Sequence, residues 1–379
     1  LEQFMGKKEG EFVLDVNLKK EYSIGWIGNA EVGAGSEDRY LARLFGLRFS
    51  TASRIGVYAN FNNLNDKRKP GENSQWTPDK MPFGLLAQKG GGIDYLIKPK
   101  FTSNKFSGNA DLSYIDGDYY SETTNETYMP QGSLYARSKS NFRNYNFTFN
   151  TEHKFEIKDE DGVSGWDIKP SLNYSHYHNR SYDLSATFNG NPYDYASGVA
   201  LFDSIQNMSG SNLHRLMLNR YIQNVKQKGN DLSTNFDATY LKIVSGTLYG
   251  VYGNVYLNNK TYDKNERYDL AYPNSPSETS QYLDRYIHNK PNKKFGYKIQ
   301  PKVGMKMFDG NVEADVLFGQ NFKNQTLSRY NLETLPGWGQ GSGHEFGELP
   351  SEVEFMKQTI DNNSFDLSQT ETFANISPS

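Results

Sequence analysis

Hydrophobic and polar residues alternate along most of this chain with a period of two. In the run 295–307 the odd positions hold Phe, Tyr, Ile, Pro, Val and Met, whereas the even positions hold Gly, Lys and Gln. Successive side chains of a β-strand point to opposite faces, so this pattern predicts strands with one apolar and one polar face. Similar runs predict twelve strands, at 12–18, 26–34, 41–49, 55–62, 93–101, 106–114, 145–157, 166–174, 232–241, 247–257, 295–307 and 312–318.

The connections between these strands alternate between short and long. Asp309-Gly310 is a strong hairpin signal, and the acidic run Asp159-Glu160-Asp161-Gly162 is interpreted as a turn instead of a calcium loop. Outer-membrane barrels alternate short turns with long loops, whereas a soluble β-sandwich has no reason to do so. Short connections are predicted near 19–25, 50–54, 102–105, 158–165, 242–246 and 308–311, and the intervening ones are 35–40, 63–92, 115–140, 178–231 and 258–294.

Four residues fit the strand pattern poorly. Arg43 falls on the face predicted to be apolar, so we expect it near a membrane interface. Pro99, Pro170 and Pro301 lie inside strand runs, where a missing N–H removes a ladder hydrogen bond. We therefore expect the three prolines at bulges or strand ends.

The composition supports a barrel more than a soluble domain. Of the 379 residues, 36% are hydrophobic and 14% aromatic, and the mean hydropathy is −0.77. This is polar for a globular core but too aromatic for a disordered chain, and a membrane barrel with a wet interior reconciles the two. No apolar stretch approaches the roughly 20 residues of a transmembrane helix. The net charge of −3 indicates no nucleic-acid partner, and the absence of cysteine excludes disulfides and thiolate sites.

The sequence signals for catalytic and metal-binding residues are weak. His176 and His178 share a strand face, but with Tyr174 and Leu172 beside them they more readily mark an interface than a metal site. The glycine-rich segments 90–92 and 337–343 lack the context of a phosphate loop, and no Gly-x-Ser-x-Gly motif is present. The sequence therefore predicts no catalytic, cofactor-binding or metal-binding residues, and no enzyme.

Aromatic residues are frequent in the predicted long loops. Such side chains stack on sugar and peptide ligands, although for any single residue packing of the loops against one another is the favoured explanation. Segment 198–209 is predicted to form a short amphipathic helix. The candidate ligand contacts are Trp76, Tyr119, Tyr120, Tyr193, Tyr195 and Trp338.

Several short motifs lie between residues 16 and 66. They are Val16-Asn17-Leu18-Lys19-Lys20, Gly25-Trp26-Ile27-Gly28-Asn29, Gly33-Ala34-Gly35, Asp38-Arg39-Tyr40 and Asn60-Phe61-Asn62-Asn63-Leu64-Asn65-Asp66. Together they resemble the first barrel strands of TonB-dependent transporters of the Bacteroidetes type. This resemblance implies an all-β, antiparallel transmembrane β-barrel. Residues 1–379 would be a partial barrel, the first half of about 22 strands, with the plug domain and the C-terminal strands absent.

The function implied by this resemblance is nutrient import across the bacterial outer membrane. The expected partners are outer-membrane lipid, the TonB complex acting through the missing plug, a surface lipoprotein, and a nutrient ligand that is a glycan, a peptide or a metal chelate. No cofactor is expected. The alternatives are an outer-membrane binding or adhesion protein, a closed twelve-stranded passive pore, and, least favoured, a membrane-embedded hydrolase.

Overall fold

Twelve antiparallel strands form one sheet in the computed structural model, which describes residues 24–66, 84–274, 280–307 and 310–378. Each strand pairs with its neighbours in sequence, so the sheet is a continuous meander. The strands are β1 (Ile24–Ala34), β2 (Tyr40–Ser50), β3 (Ser53–Asn62), β4 (Leu85–Ile97), β5 (Lys105–Met129), β6 (Gly132–Lys158), β7 (Gly165–Phe188), β8 (Met217–Val244), β9 (Thr247–Ala271), β10 (Gln281–Met307), β11 (Gly310–Asn331) and β12 (Phe365–Pro378).

The predicted all-β, antiparallel class is confirmed, and eleven of the twelve predicted strands match β1 to β11, although the two sets of strands differ at both ends. The predicted strand 12–18 lies outside the described residues. The sequence analysis missed β12, whose polar run Ser368-Gln369-Thr370-Glu371-Thr372 contains no apolar residue and so gives no alternation. Pairing with β11 along the whole of β12 defines this strand, which the hydrophobic pattern does not predict.

Strands β5 to β11 are 22 to 28 residues long, far longer than predicted. The predicted loops 115–140 and 258–294 are therefore wrong over most of their length, and 178–231 is wrong over about half of it. Residues 130 and 131 alone connect β5 to β6, and the connections that remain are 189–216, between β7 and β8, and 272–280, between β9 and β10. The error arose because charged residues such as Lys139, Arg267 and Asp269 stand where the alternation requires apolar ones, which interrupts the pattern that predicts a strand.

The long connections 189–216 and 332–364 lie at one end of the sheet, which we call the loop end. The opposite end, which we call the turn end, carries the short connections 51–52, 98–104, 159–164 and 245–246. The acidic turn is confirmed: the Asp159 N–H donates to the Ser164 carbonyl at 2.9 Å, and Asp161 accepts from the Val163 and Ser164 N–H groups. Ordered turns of this kind fix the strand register.

Near the turn end the two faces of the sheet differ sharply. Every strand contributes a partly or largely solvent-exposed apolar side chain to one face, which we call the apolar face. The set is Trp26, Leu44, Val57, Ile93, Leu112, Phe147, Trp166, Phe236, Val255, Ile299, Phe318 and Ile376. A soluble protein rarely leaves so large a contiguous apolar surface exposed.

The other face, which we call the polar face, carries charges of both signs. Asp167 lies 3.5 Å from the Lys169 ammonium and 3.7 Å from that of Lys154, and Glu313 pairs with Lys302. Lysines and acids therefore lie close enough on this face to balance one another. Charges on this face are Arg54, Asp94, Lys105, Glu152, Lys154, Glu156, Asp167, Lys169, Asp237, Lys298, Lys302, Glu313 and Asp315.

The sheet is not closed over the described residues, because β1 pairs only with β2 and β12 pairs only with β11. Three short helices lie in the connections: α1 (Gly198–Asn207), α2 (Ser211–Leu216) and α3 (Glu352–Gln358). Helix α1 confirms the predicted helix in 198–209. No helix among the described residues is both long and apolar enough to cross a membrane.

Arg43 does not lie on the apolar face as expected. The register places it beside Glu31 on β1 and Asn60 on β3, on the polar face. Its guanidinium pairs with the carboxylates of Glu31 and of the buried Asp66, which neutralise it. The prediction failed because β2 has apolar residues on both faces, including Phe45 and Phe49 beside Arg43, so alternation does not identify its polar face.

The three prolines have two different outcomes. Pro99 follows the end of β4, as predicted. Pro170 and Pro301 lie within β7 and β10 without a register shift, so a bulge is wrong for both. Each proline keeps a partner on one neighbouring strand, Phe236 and Val251 respectively, while the ladder on its other side is interrupted. The missing N–H of a proline removes a ladder hydrogen bond only to the neighbouring strand toward which that N–H would point.

Gly165 begins β7 with a φ of +146°, and a Cβ there would lie 2.8 Å from the Lys158 Cα. We expect Gly165→Ala to destabilise the β6–β7 hairpin by about 1–3 kcal/mol, because backbone cannot move aside as a side chain can. The measurement is the free energy of unfolding in urea. The matched control is Gly253→Ala, where the nearest atom is 3.9 Å away and little change is expected. Equal effects of the two substitutions would contradict this account.

Candidate ligand-binding cleft

Two connections fold back onto the apolar side of the sheet at its loop end. In segment 189–216, Leu201 and Ile205 of α1 pack against Leu184 and Phe188 of β7, and all four side chains are fully buried. In segment 332–364, Phe355 of α3 stacks on Tyr330 of β11 with a centroid distance of 4.0 Å. Two small apolar cores therefore fix these segments.

A cleft of about 350 Å³ lies between the two segments, above strands β7 to β10. The α1 side contributes Gln206, the glycine-rich segment contributes residues 340–344, and the strands form the floor. This volume is near the lower end of small-molecule sites. The lining residues on the strands are Tyr182, Ile222, Asn224, Arg267, Asp269 and Tyr282.

Two ion pairs form the base of the cleft. Arg220 is almost fully buried, donates to Asp269 at 2.6 Å, and also donates to the Gln206 carbonyl at 2.9 Å. Arg267 donates to one oxygen of Asp284 through Nε at 3.0 Å and Nη2 at 2.7 Å, and the Asp284 side chain is only 2% exposed. Because each of these two carboxylates has its own guanidinium, the charges at the base balance.

Side-chain hydrogen bonds hold the glycine-rich segment against these ion pairs. Gln340 donates to Asp269 at 3.1 Å, and His344 Nε2 lies 3.0 Å from the Asp284 carboxylate. The His344 ring also packs against Trp338 with a centroid distance of 4.2 Å. Gly341 and Gly343 have φ values of +78° and +82°, which a side chain would disfavour. The glycine-rich segment is therefore anchored at several points.

Burial shifts the ionisation of two groups near the cleft. The Glu333 carboxylate accepts the backbone N–H of Asp284 at 3.0 Å, and burial raises the pKa of Glu333 above its ordinary value. Burial likewise raises the pKa of the Tyr282 phenol. Tyr282 thus presents a neutral hydroxyl to the cleft at physiological pH.

The six aromatic residues predicted as ligand contacts do not converge on one site. Trp76 lies outside the described residues. Trp338 borders the cleft segment through His344, whereas the other four lie elsewhere at the loop end. Tyr119 packs on Phe142, Tyr120 lies near Lys139, Tyr193 covers Arg137 at 4.4 Å, and Tyr195 is about half exposed.

Sequence reasoning missed the polar residues of the cleft. Arg267 and Asp284 lie directly opposite each other on β9 and β10, but the sequence analysis assigned both to a loop. A cross-strand pair becomes visible only once the strands are known to extend that far. His344 gave no signal because its partner Asp284 is 60 residues away in sequence, and Ser342 is connected to Asp284 only through His344.

Replacing Arg267 with Met should destabilise the loop end by about 3 kcal/mol, because it leaves the buried Asp284 carboxylate without its cation. The measurement is urea unfolding followed by the fluorescence of Trp338. Arg215 on α2 is exposed and makes no ion pair among the described residues, so Arg215→Met is the control. An Arg267→Met protein as stable as the control would show that the ion pair contributes nothing.

The raised pKa of Glu333 gives the stability of the loop end a defined pH dependence. The folded protein holds this proton more tightly than the unfolded chain does, so its contribution is full at low pH and is lost as pH rises through the folded pKa. Glu333→Gln keeps an acceptor for the Asp284 N–H but carries no charge. We expect the variant to gain thermal stability relative to wild type as the pH rises above about 4, the ordinary range of a glutamate. A constant difference, like that expected for the exposed control Glu354→Gln, would refute this.

Comparison with known proteins gives no match: no family model fits the chain, and no curated protein or solved structure resembles it significantly.

Proposed function

We propose that this chain is part of an outer-membrane β-barrel that imports a nutrient. The observation that carries the proposal is the two-faced sheet near the turn end, where all twelve strands expose an apolar side chain on one face and most carry charges on the other. A barrel wall needs this arrangement, since one face meets lipid and the other meets water. The apolar side chains would then form the lipid-facing band.

Strand length supports the same proposal. A tilted strand crosses a bilayer with about 9–11 residues. Strands β5 to β11 have 22 to 28 residues, or about 70–90 Å at the usual rise per residue. They therefore extend well beyond a membrane on the loop-end side, where charged residues such as Lys139, Arg267 and Asp269 enter the side of the sheet that is apolar near the turn end. The loop end would then be the extracellular end.

Over the described residues, β1 and β12 each have one edge without a partner strand, and this adds a further requirement. Open backbone donors and acceptors are not tolerated in lipid, so both edges need partner strands. The resemblance of the N-terminal motifs to TonB-dependent transporters implies that further strands of a larger barrel, of about 22 strands, would supply them. A plug inside that barrel would couple import to the TonB complex, and a surface lipoprotein would assist in ligand capture.

A binding or adhesion protein is the second candidate, because of where the cleft lies. The segments that form it fold onto the apolar side of the sheet, away from the charged face that a solute would follow through a barrel. A ligand held there is positioned for recognition at the cell surface and not for passage.

Two neighbouring positions on β10 test the membrane assignment, since the protein has no native cysteine. Ile299 is on the apolar face and Lys298 on the polar face. In intact outer membranes, we expect Ile299→Cys to resist a water-soluble maleimide and to react with a lipid-soluble one. Lys298→Cys should react with the water-soluble reagent. Equal reaction of both cysteines with the water-soluble reagent would exclude a lipid-facing band.

An uptake assay distinguishes nutrient import from surface binding. Cells with and without the complete gene would be given a labelled oligosaccharide, oligopeptide and iron chelate, each with and without a protonophore. Import predicts that deletion abolishes uptake of one class, and that the protonophore does the same in wild type. Unchanged uptake of all three, with loss of surface binding of one, would instead establish the binding protein.

A further inference from the structure

We propose that Ser342 is the nucleophile of a Ser-His-Asp site that hydrolyses short-chain carboxylic esters. The Ser342 Oγ lies 2.6 Å from His344 Nδ1, and His344 Nε2 lies 3.0 Å from the Asp284 carboxylate. Serine hydrolases on unrelated folds are identified by this connection of hydroxyl, imidazole and carboxylate, and not by sequence order. The activity goes beyond transport and does not depend on it.

The surroundings of Asp284 select the required histidine tautomer. Asp284 is a buried carboxylate, so it accepts a hydrogen bond from the protonated Nε2 of His344. The proton then resides on Nε2, and the Nδ1 lone pair is available to the Ser342 hydroxyl. Ser342 itself is exposed, whereas the His344 side chain is only 10% exposed. The nucleophile is thus accessible while its base is held in place.

Arg267 limits how strongly the Asp284 carboxylate can assist His344 as a base. It donates to the same Asp284 oxygen as His344, so part of the negative charge that would stabilise an imidazolium is already neutralised. The arrangement therefore orients the imidazole more than it raises its basicity. We expect slow turnover, with activity that is easiest to detect on activated esters.

The cleft beside Ser342 offers a place for the acyl group. Ile222, Tyr182 and Tyr282 provide apolar and aromatic surface, and the small volume fits a short acyl chain. The backbone N–H groups of Gly343 and His344 donate to no acceptor among the described residues. The N–H after a nucleophile is a common oxyanion donor, so Gly343 is the candidate here.

The reaction balances with water as the only co-reactant. The Ser342 Oγ bonds to the ester carbonyl carbon while its proton passes to His344 Nδ1. The ester C–O bond then breaks, and the alcohol leaves with that proton. Water attacks the acyl-serine, His344 takes the water proton and returns it to the Ser342 Oγ, and the carboxylic acid departs. Nothing is oxidised or reduced.

The test uses the full-length protein in detergent with two probes, p-nitrophenyl acetate for turnover and a fluorophosphonate for covalent labelling. We expect mass spectrometry to locate the phosphonate on Ser342. Ser342→Ala should lower the hydrolysis rate at least about a hundredfold, as expected when a catalytic group is lost. Ser209→Ala, at another exposed serine of the loop end, is the matched control and should retain the wild-type rate.

A second variant separates catalysis from folding. His344→Ala should lose activity, and added imidazole should restore part of it, which a merely structural contact would not show. Far-ultraviolet circular dichroism of each variant checks that the sheet is intact. Labelling at any other residue, no labelling, or equal hydrolysis by wild type and Ser342→Ala would overturn the proposal.

Discussion

Unbroken antiparallel register is the constraint on which the other features of this protein depend. A shift of one residue between two strands would move a whole set of apolar side chains from one face to the other. Over most of the sheet, each residue keeps one partner on either side, and the described pairings shift only beside Asn289 on β10 and at Phe188 on β7. The separation of apolar and charged faces follows from this register, with the turn at Asp161 and the strained Gly165 fixing one hairpin of it.

The sequence predicted those parts of the fold in which the two faces differ in polarity. The β10 and β11 runs were predicted correctly because apolar and polar residues, such as Ile299 and Lys298, alternate strictly there over many residues. The loop-end parts of the strands were missed because charged residues such as Lys139 and Asp269 lie there on the same side of the sheet as the apolar face. The alternation ends at such residues, while the pairing between strands continues. Hydrogen bonding between neighbouring strands holds a strand as well as burial does, but it leaves no trace in hydropathy.

Arg43 shows the opposite failure, in which alternation is present but its phase is misleading. Phe45 and Phe49 suggested an apolar face, and only the partners on β1 and β3 establish that it is the polar one. The large side chain of Phe49 lies against Gly25, so it packs where the facing residue has no side chain. The polarity of one strand is therefore set by its neighbours, and single-strand patterns cannot supply that information.

The loop end depends on a different balance, because buried charge there replaces the missing hydrophobic contrast. Asp284 would be unfavourable in so enclosed a position without Arg267, and the same carboxylate then orients His344 and with it the glycine-rich segment. Removing water from an ion pair costs free energy that a plain apolar contact does not, so such pairs are a poor way to gain stability alone. Buried ion pairs do fix the positions of the groups around them closely. A glycine-rich segment depends on such fixed contacts more than most segments do. The organised cleft is thus a direct consequence of pairing β9 with β10 far beyond the apolar band.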